Sequence, residues 1–115
     1  MHKNNLKDRT YRFSLQIIDY LEKLPGNYIY QTIGKQLLRS ATSIGANIFE
    51  AQAGRTRRDF INYYHIALKS ANETNYWLNL LKAKLKPNND LLQESIEINK
   101  MIGASLITLK GKRNY

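Results

Sequence analysis

Apolar residues recur along this chain three and four apart, the spacing that lines one face of an α-helix. Two strong breaks, Leu24-Pro25-Gly26-Asn27 and Lys86-Pro87-Asn88-Asn89, put a proline beside residues that readily end helices. Before the first break Phe13, Ile17, Tyr20 and Leu24 form one stripe and Tyr11, Leu15 and Ile18 a second, predicting a helix over about 8–24. Ile33, Leu37, Ala41, Ile44 and Ile48 keep the period and predict another over about 29–53. Its small residues Gly34, Ser40, Ser43, Gly45 and Ala46 cost helix propensity but permit close approach. Gly54 supplies a stop and Thr56 a restart, since Thr56 with Asp59 three residues on resembles a capping box, Asp standing in for Glu or Gln. The third helix, about 57–85, carries the cleanest seam: Phe60, Tyr64, Ala67, Ala71, Thr74, Leu78, Leu81 and Leu85 alternate four and three apart. Asn89 or Asp90 caps a fourth, with Leu91, Ser95, Ile98, Ile102, Ser105 and Leu109 as its period and Lys110-Gly111 as its stop. No strand-like alternation competes. Four helices on short links predict an all-α, antiparallel up-down-up-down four-helix bundle, as one domain spanning residues 1–115.

The apolar arcs are wider than one buried face requires. On the third helix Tyr63, Ile66, Ser70, Trp77 and Leu80 lie beside the main seam, and the first helix has its second stripe. Part of this surface is expected to meet another copy of the chain, giving a homo-oligomer.

Composition narrows the chemistry. The 115 residues suffice for about one core. Eighteen Lys and Arg against nine Asp and Glu leave a formal charge of +9, which favours a polyanionic partner. With no Cys, disulfides, thiolate metal sites and cysteine catalysis are excluded, and His2 and His65 are too few for a multi-imidazole site. Neither GxGxxG nor GxxxxGK[ST] occurs, and no Glu stands three residues before a His as in paired-metal bundles. No elbow motif supports a Ser-His-Asp triad, so His65 reads as a structural histidine. The expectation is a protein without catalysis, metal or cofactor. No apolar run exceeds three residues, so neither a membrane span nor a secretory segment is expected and a cytoplasmic location is.

Gln36, Ser40, Ser43, Asn47 and Glu50 form a polar stripe along the second helix. In a hairpin turning near 55–57, Arg39 falls level with Glu73, and Ser43 with Lys69 and Ser70. The sequence thus predicts a buried polar layer of Arg39, Ser43, Asn47, Glu50, Ser70 and Glu73, in which Arg39 and Glu73 are the charged pair that fixes register.

Alternating helices would gather both termini and the link between helices two and three at one pole. That pole would hold Lys3, Lys7, Arg9, Arg12, Arg55, Arg57, Arg58, Lys110, Lys112 and Arg113 against Asp8 and Asp59, a balance of +8. The opposite pole, including Lys82, Lys84 and Lys86 against carboxylates such as Asp90, Glu94 and Glu97, would be neutral. The ten cations, with Tyr11 and Tyr115 placed to stack on bases, suit the backbone of RNA, DNA or their hybrid, with no base-reading helix in evidence.

Residues 37–50, Leu-Leu-Arg-Ser-Ala-Thr-Ser-Ile-Gly-Ala-Asn-Ile-Phe-Glu, and the pattern Asp59-Phe60, Ile66-Ala67, Ser70-Ala71-Asn72-Glu73-Thr74 and Trp77-Leu78 carry a resemblance. The chain resembles the bacterial four-helix-bundle family that includes proteins encoded in intervening sequences of large-subunit ribosomal RNA genes. It is also similar to the accessory variability protein of diversity-generating retroelements. Where that family usually reads Asn-Ile-Ala-Glu-Gly, this chain has Asn47-Ile48-Phe49-Glu50-Ala51. The resemblance implies a homopentameric barrel with a basic surface, nucleic-acid association and no catalysis. In the retroelement branch it also implies a reverse transcriptase as partner, which makes an accessory scaffold the alternative function.

Overall fold

A computed structural model describes residues 5–85 and 89–113. Four helices make up their regular structure: α1 (Leu6–Leu21), α2 (Tyr28–Ala53), α3 (Arg57–Lys84) and α4 (Asn89–Arg113). His2, Lys3, Lys86, Pro87, Asn88 and Tyr115, which the sequence brought into the argument, lie outside the described residues, as do the side chains of Lys112 and Arg113.

Local chemistry sets the ends. The Asn5 side chain accepts from the backbone N–H groups of Lys7 and Asp8 at 2.8 and 3.4 Å, and α1 begins there. It stops short of Leu24, because the residue before a proline is pushed out of helical backbone and the chain tightens early, Lys23 N–H bonding Tyr20 and Leu24 N–H bonding Leu21. Asn27 caps α2 by accepting from Tyr30 N–H at 3.0 Å. Thr56 accepts from Asp59 N–H at 3.0 Å, so α3 opens on the cap its sequence signals. One stop fails: α4 runs through Lys110-Gly111 to Arg113. A lone glycine costs a helix about 1 kcal/mol, too little to end it where nothing following forbids helical backbone.

Phe13 and Ile17 from α1, Leu37, Ile44 and Ile48 from α2, Leu81 from α3, and Ile98 and Ile102 from α4 are fully buried. The α3 seam is buried from Tyr64 to Leu81, with Phe60 and Leu85 half-buried at its ends. In α4 the seam passes from Ile102 to Leu106, leaving Ser105 and Leu109 half-buried. Seven residues of a straight helix fall about 20° short of two full turns, so a strict four-and-three pattern drifts out of the core.

Close contacts fix the levels. A Cβ on Gly45 would lie 3.3 Å from the Thr10 carbonyl oxygen, so α1 and α2 are in near-backbone contact there, while one on Gly34 would meet the side chains of Leu24 and Leu21 at 3.2–3.3 Å. Across α2 and α3, Ser43 meets Ser70 and Ser40 meets Thr74. Across α3 and α4, Asn72 meets Asn99 and Asn75 meets Ser95. At each junction, rising numbers on one helix meet falling numbers on the next.

Candidate nucleic-acid interface

Hydrogen bonds link α2 and α3 along the polar stripe, and the predicted layer needs two corrections. Ser43 and Ser70 share a hydrogen bond of 2.9 Å, and the Asn47 amide donates to the Ser43 carbonyl and hydroxyl at 2.8 and 3.0 Å. Beneath them the buried Thr74 hydroxyl donates to the Ser70 carbonyl at 2.8 Å and lies 2.9 Å from the Ser40 hydroxyl. Arg39 and Glu73 do pair, but at the surface, their side chains 56% and 35% exposed, rather than inside the layer. Gln36 accepts from the same guanidinium, and the Trp77 indole N–H donates to Glu73 at 3.0 Å. The Trp77 hydrogen bond is the chief cause holding the Glu73 carboxyl below the ordinary glutamate value; partial burial opposes it and Arg39 reinforces it. The second correction is Glu50, which is exposed and lies beside the cleft between α1 and α2, because the same drift has carried the stripe away from α3 by that position.

Sequence reading missed two rungs on the other side of α3, Asn72 with Asn99 at 2.6 Å and Asn75 with Ser95. Their signal was present: Asn72, Asn75 and Asn79 recur at helical spacing, as do Ser95 and Asn99.

The predicted phosphate-binding set is divided by the fold. Arg55, Arg57 and Arg58 stand exposed on the link and first turn of α3, and Lys110 is exposed near the end of α4. Leu109 lines a shallow depression together with Gly54, Arg55, Thr56, Arg57 and Phe60, which brings the end of α4 against the link. Among the described residues none of the three arginines forms an ion pair. Arg9 leaves the set. Its guanidinium donates to both oxygens of Glu94 at 2.7 and 2.8 Å and to the Met101 sulfur at 3.1 Å. Glu94, assigned from sequence to the neutral pole, thereby cancels a cation of the basic one. Lys7 is engaged differently, its Nζ 4.6 Å from the centroid of the Phe49 ring. Arg12 is exposed further along α1. Tyr11 lines the α1–α2 cleft with Phe49 rather than joining the arginines. His65 is half-buried in α3. Among the described residues no three His, Cys, Asp or Glu side chains come together as metal ligands, and no helix is long and apolar enough to cross a membrane.

Four helices joined by short links, an apolar core and hydrogen-bonded polar rungs define a small all-α bundle protein in which three exposed arginines, Arg55, Arg57 and Arg58, gather at one link. The chain belongs to the 23S rRNA-intervening sequence protein family, whose model matches residues 2–104. Of the two branches that the resemblance leaves open, the matched family is the ribosomal one. Among solved structures the chain is similar to a protein of unknown function from the S23 ribosomal protein family of Bacteroides thetaiotaomicron VPI-5482, solved at 1.70 Å. The identity is 40%, the match covers 88% of this chain and 97% of that one, and the TM-score is 0.81. A search of curated proteins finds no match.

Proposed function

We propose that the protein is a non-catalytic bundle that associates with RNA, or with an RNA–DNA hybrid, through the basic end built from the α2–α3 link and the close of α4. The observation that carries this is the trio Arg55, Arg57 and Arg58, exposed within four residues and without carboxylate partners among the described residues. Guanidinium forks match phosphate oxygens two at a time and stay charged at any working pH. The family description, which concerns an intervening sequence of 23S rRNA, makes ribosomal RNA the first polyanion to test. Lys110 widens the patch, and Arg9, bound to Glu94, is not part of it. The levels at which the helices meet support an up-down-up-down bundle. The exposed apolar surface on α1 and α2 supports assembly into a small ring, five copies by family resemblance, which would repeat the basic end around an axis.

The test is a titration of labelled structured 23S rRNA fragments against wild type and two matched reversals, Arg57→Glu with Arg58→Glu and Lys82→Glu with Lys84→Glu. The first pair should lower affinity by orders of magnitude at low salt, and the second much less. Equal loss in both, or no binding by wild type at low salt, rejects the reading.

A further inference from the structure

Among the described residues, five of the ten large apolar side chains left exposed lie on one side of the bundle: Tyr11, Leu15 and Ile18 on α1, with Leu38 and Phe49 on α2. Between the two helices runs a groove of about 460 Å³. Gly45 and Ala46 give it a floor without bulk, Tyr11 and Phe49 stand in its lining, and Lys7 rests on the Phe49 ring. Although the protein carries +9, the groove brings two carboxylates, Asp8 and Glu50, against the single cation Lys7. Such a surface repels a polyanion and fits an apolar knob flanked by positive charge.

The chain itself carries that knob. Ile66 is 46% exposed on α3, one turn before Ser70 on the stripe that faces α2, and Lys69 is exposed three residues further on. Height along the bundle agrees as well. Ser43 meets Ser70, so one turn on, position 47 of α2 stands level with Ile66, between the groove residues Ala46 and Phe49. Knob and groove therefore lie at one height on adjacent sides of the molecule. A head-to-tail contact with no rise between copies closes into a ring, whereas one with a rise winds into a filament.

We infer that the groove between α1 and α2 is the seat of a second copy of this chain, whose Ile66 enters between Tyr11, Ala46 and Phe49 while its Lys69 faces Asp8 and Glu50. This rests on the ring assembly of the preceding section and names the surfaces that make it. The interface is heterologous, so every copy offers one knob and one groove.

The experiment is light scattering coupled to size exclusion on the full chain, with circular dichroism to establish that each variant remains helical. Wild type should run as a closed oligomer, and Ile66→Asp or Ala46→Trp alone should run at the monomer's mass. Mixed together, the two variants should form a dimer, because the first keeps an intact groove and the second an intact knob. Lys69→Glu should loosen the oligomer and Glu50→Lys added to it should restore the mass. A monomeric wild type would overturn the ring reading and this interface with it. An oligomeric wild type whose mass survives Ile66→Asp would overturn the interface alone. An Ala46→Trp defect with no rescue on mixing would show that the groove pairs with something other than this knob.

Discussion

Arg9 holds both carboxylate oxygens of Glu94, Nε to Oε2 at 2.7 Å and a terminal nitrogen to Oε1 at 2.8 Å, across the line where α1 closes against α4. No loop joins these helices directly, so this clasp is one of the few polar contacts that set their relative height. Its side chains are 27% and 24% exposed, between the surface and buried regimes. Arg9→Ala and Glu94→Ala should each cost about 1–2 kcal/mol, above an exposed pair and below a fully buried one. Arg9→Lys should recover less than half, since an ammonium cannot bridge both oxygens. Urea unfolding of the single and double variants checks this. Costs that simply add, with no coupling between the sites, would show that the pair contributes nothing as a pair.

The Arg39–Glu73 pair should behave differently. Because both side chains are substantially exposed, replacing either with Ala should cost under about 1 kcal/mol, despite the pair's central position between α2 and α3. The pH dependence has a definite sign. Trp77, with Arg39 after it, lowers the folded-state value of Glu73, so its contribution is present above the ordinary glutamate value and fades as pH falls through the folded one. The stability difference between wild type and Glu73→Gln should therefore be small but measurable near neutrality and vanish in acid. A difference that grows on acidification contradicts the hydrogen-bonded carboxylate.

These two pairs show what the sequence makes legible. Arg39 and Glu73 lie on helices joined by a three-residue link, so counting outward from the turn places them level. Thr56, Ser43 with Ser70, and the seam from Tyr64 to Leu81 follow from the same local arithmetic. Burial of the pair did not follow, because arginine and glutamate reach past the seam that holds their backbones. Arg9 and Glu94 were out of reach for another reason. α1 has 16 residues against 26 and 28 in α2 and α3, so it spans about 24 Å beside helices of about 40 Å. Dividing the chain into two poles assumes equal helices, and it set the two residues at opposite ends. Of the proposed basic end, the link arginines were visible as a run in the sequence. The α1–α2 groove was foreshadowed only as an excess of apolar positions.

Glycines separate crowding from propensity. Nothing lies within 4 Å of where a Cβ on Gly103 would stand, deep inside α4. Gly103→Ala should therefore stabilise the bundle by about 0.5–1 kcal/mol, through helix propensity alone. At Gly45 the same methyl would press on the Thr10 carbonyl of the neighbouring helix. Backbone cannot swing aside as a side chain can, so Gly45→Ala should lose more to crowding than it gains, a net cost of about 1 kcal/mol. Thermal unfolding should move the two variants in opposite directions. A rise for Gly45→Ala would mean that α1 can shift outward freely.

Salt dependence distinguishes phosphate contact from other sources of affinity. Each phosphate neutralised adds about 0.7–0.9 to the steepness with which log affinity falls against log salt. Replacing Arg55, Arg57 and Arg58 together by Gln removes their charge without adding repulsion, so the slope should flatten by up to about 2–3 if all three contact phosphates. Lys82→Gln with Lys84→Gln, at the end of α3 remote from the link, should leave the slope unchanged. Thr56 still caps α3 in the triple variant, so its folding should be intact and circular dichroism should agree. The relative affinities of unrelated RNA sequences should also stay as they were, because phosphate contacts position a nucleic acid without reading its bases. If affinity drops while the slope is preserved, the arginines act through bases or through the shape of the protein, and phosphate contact at the link is the wrong account.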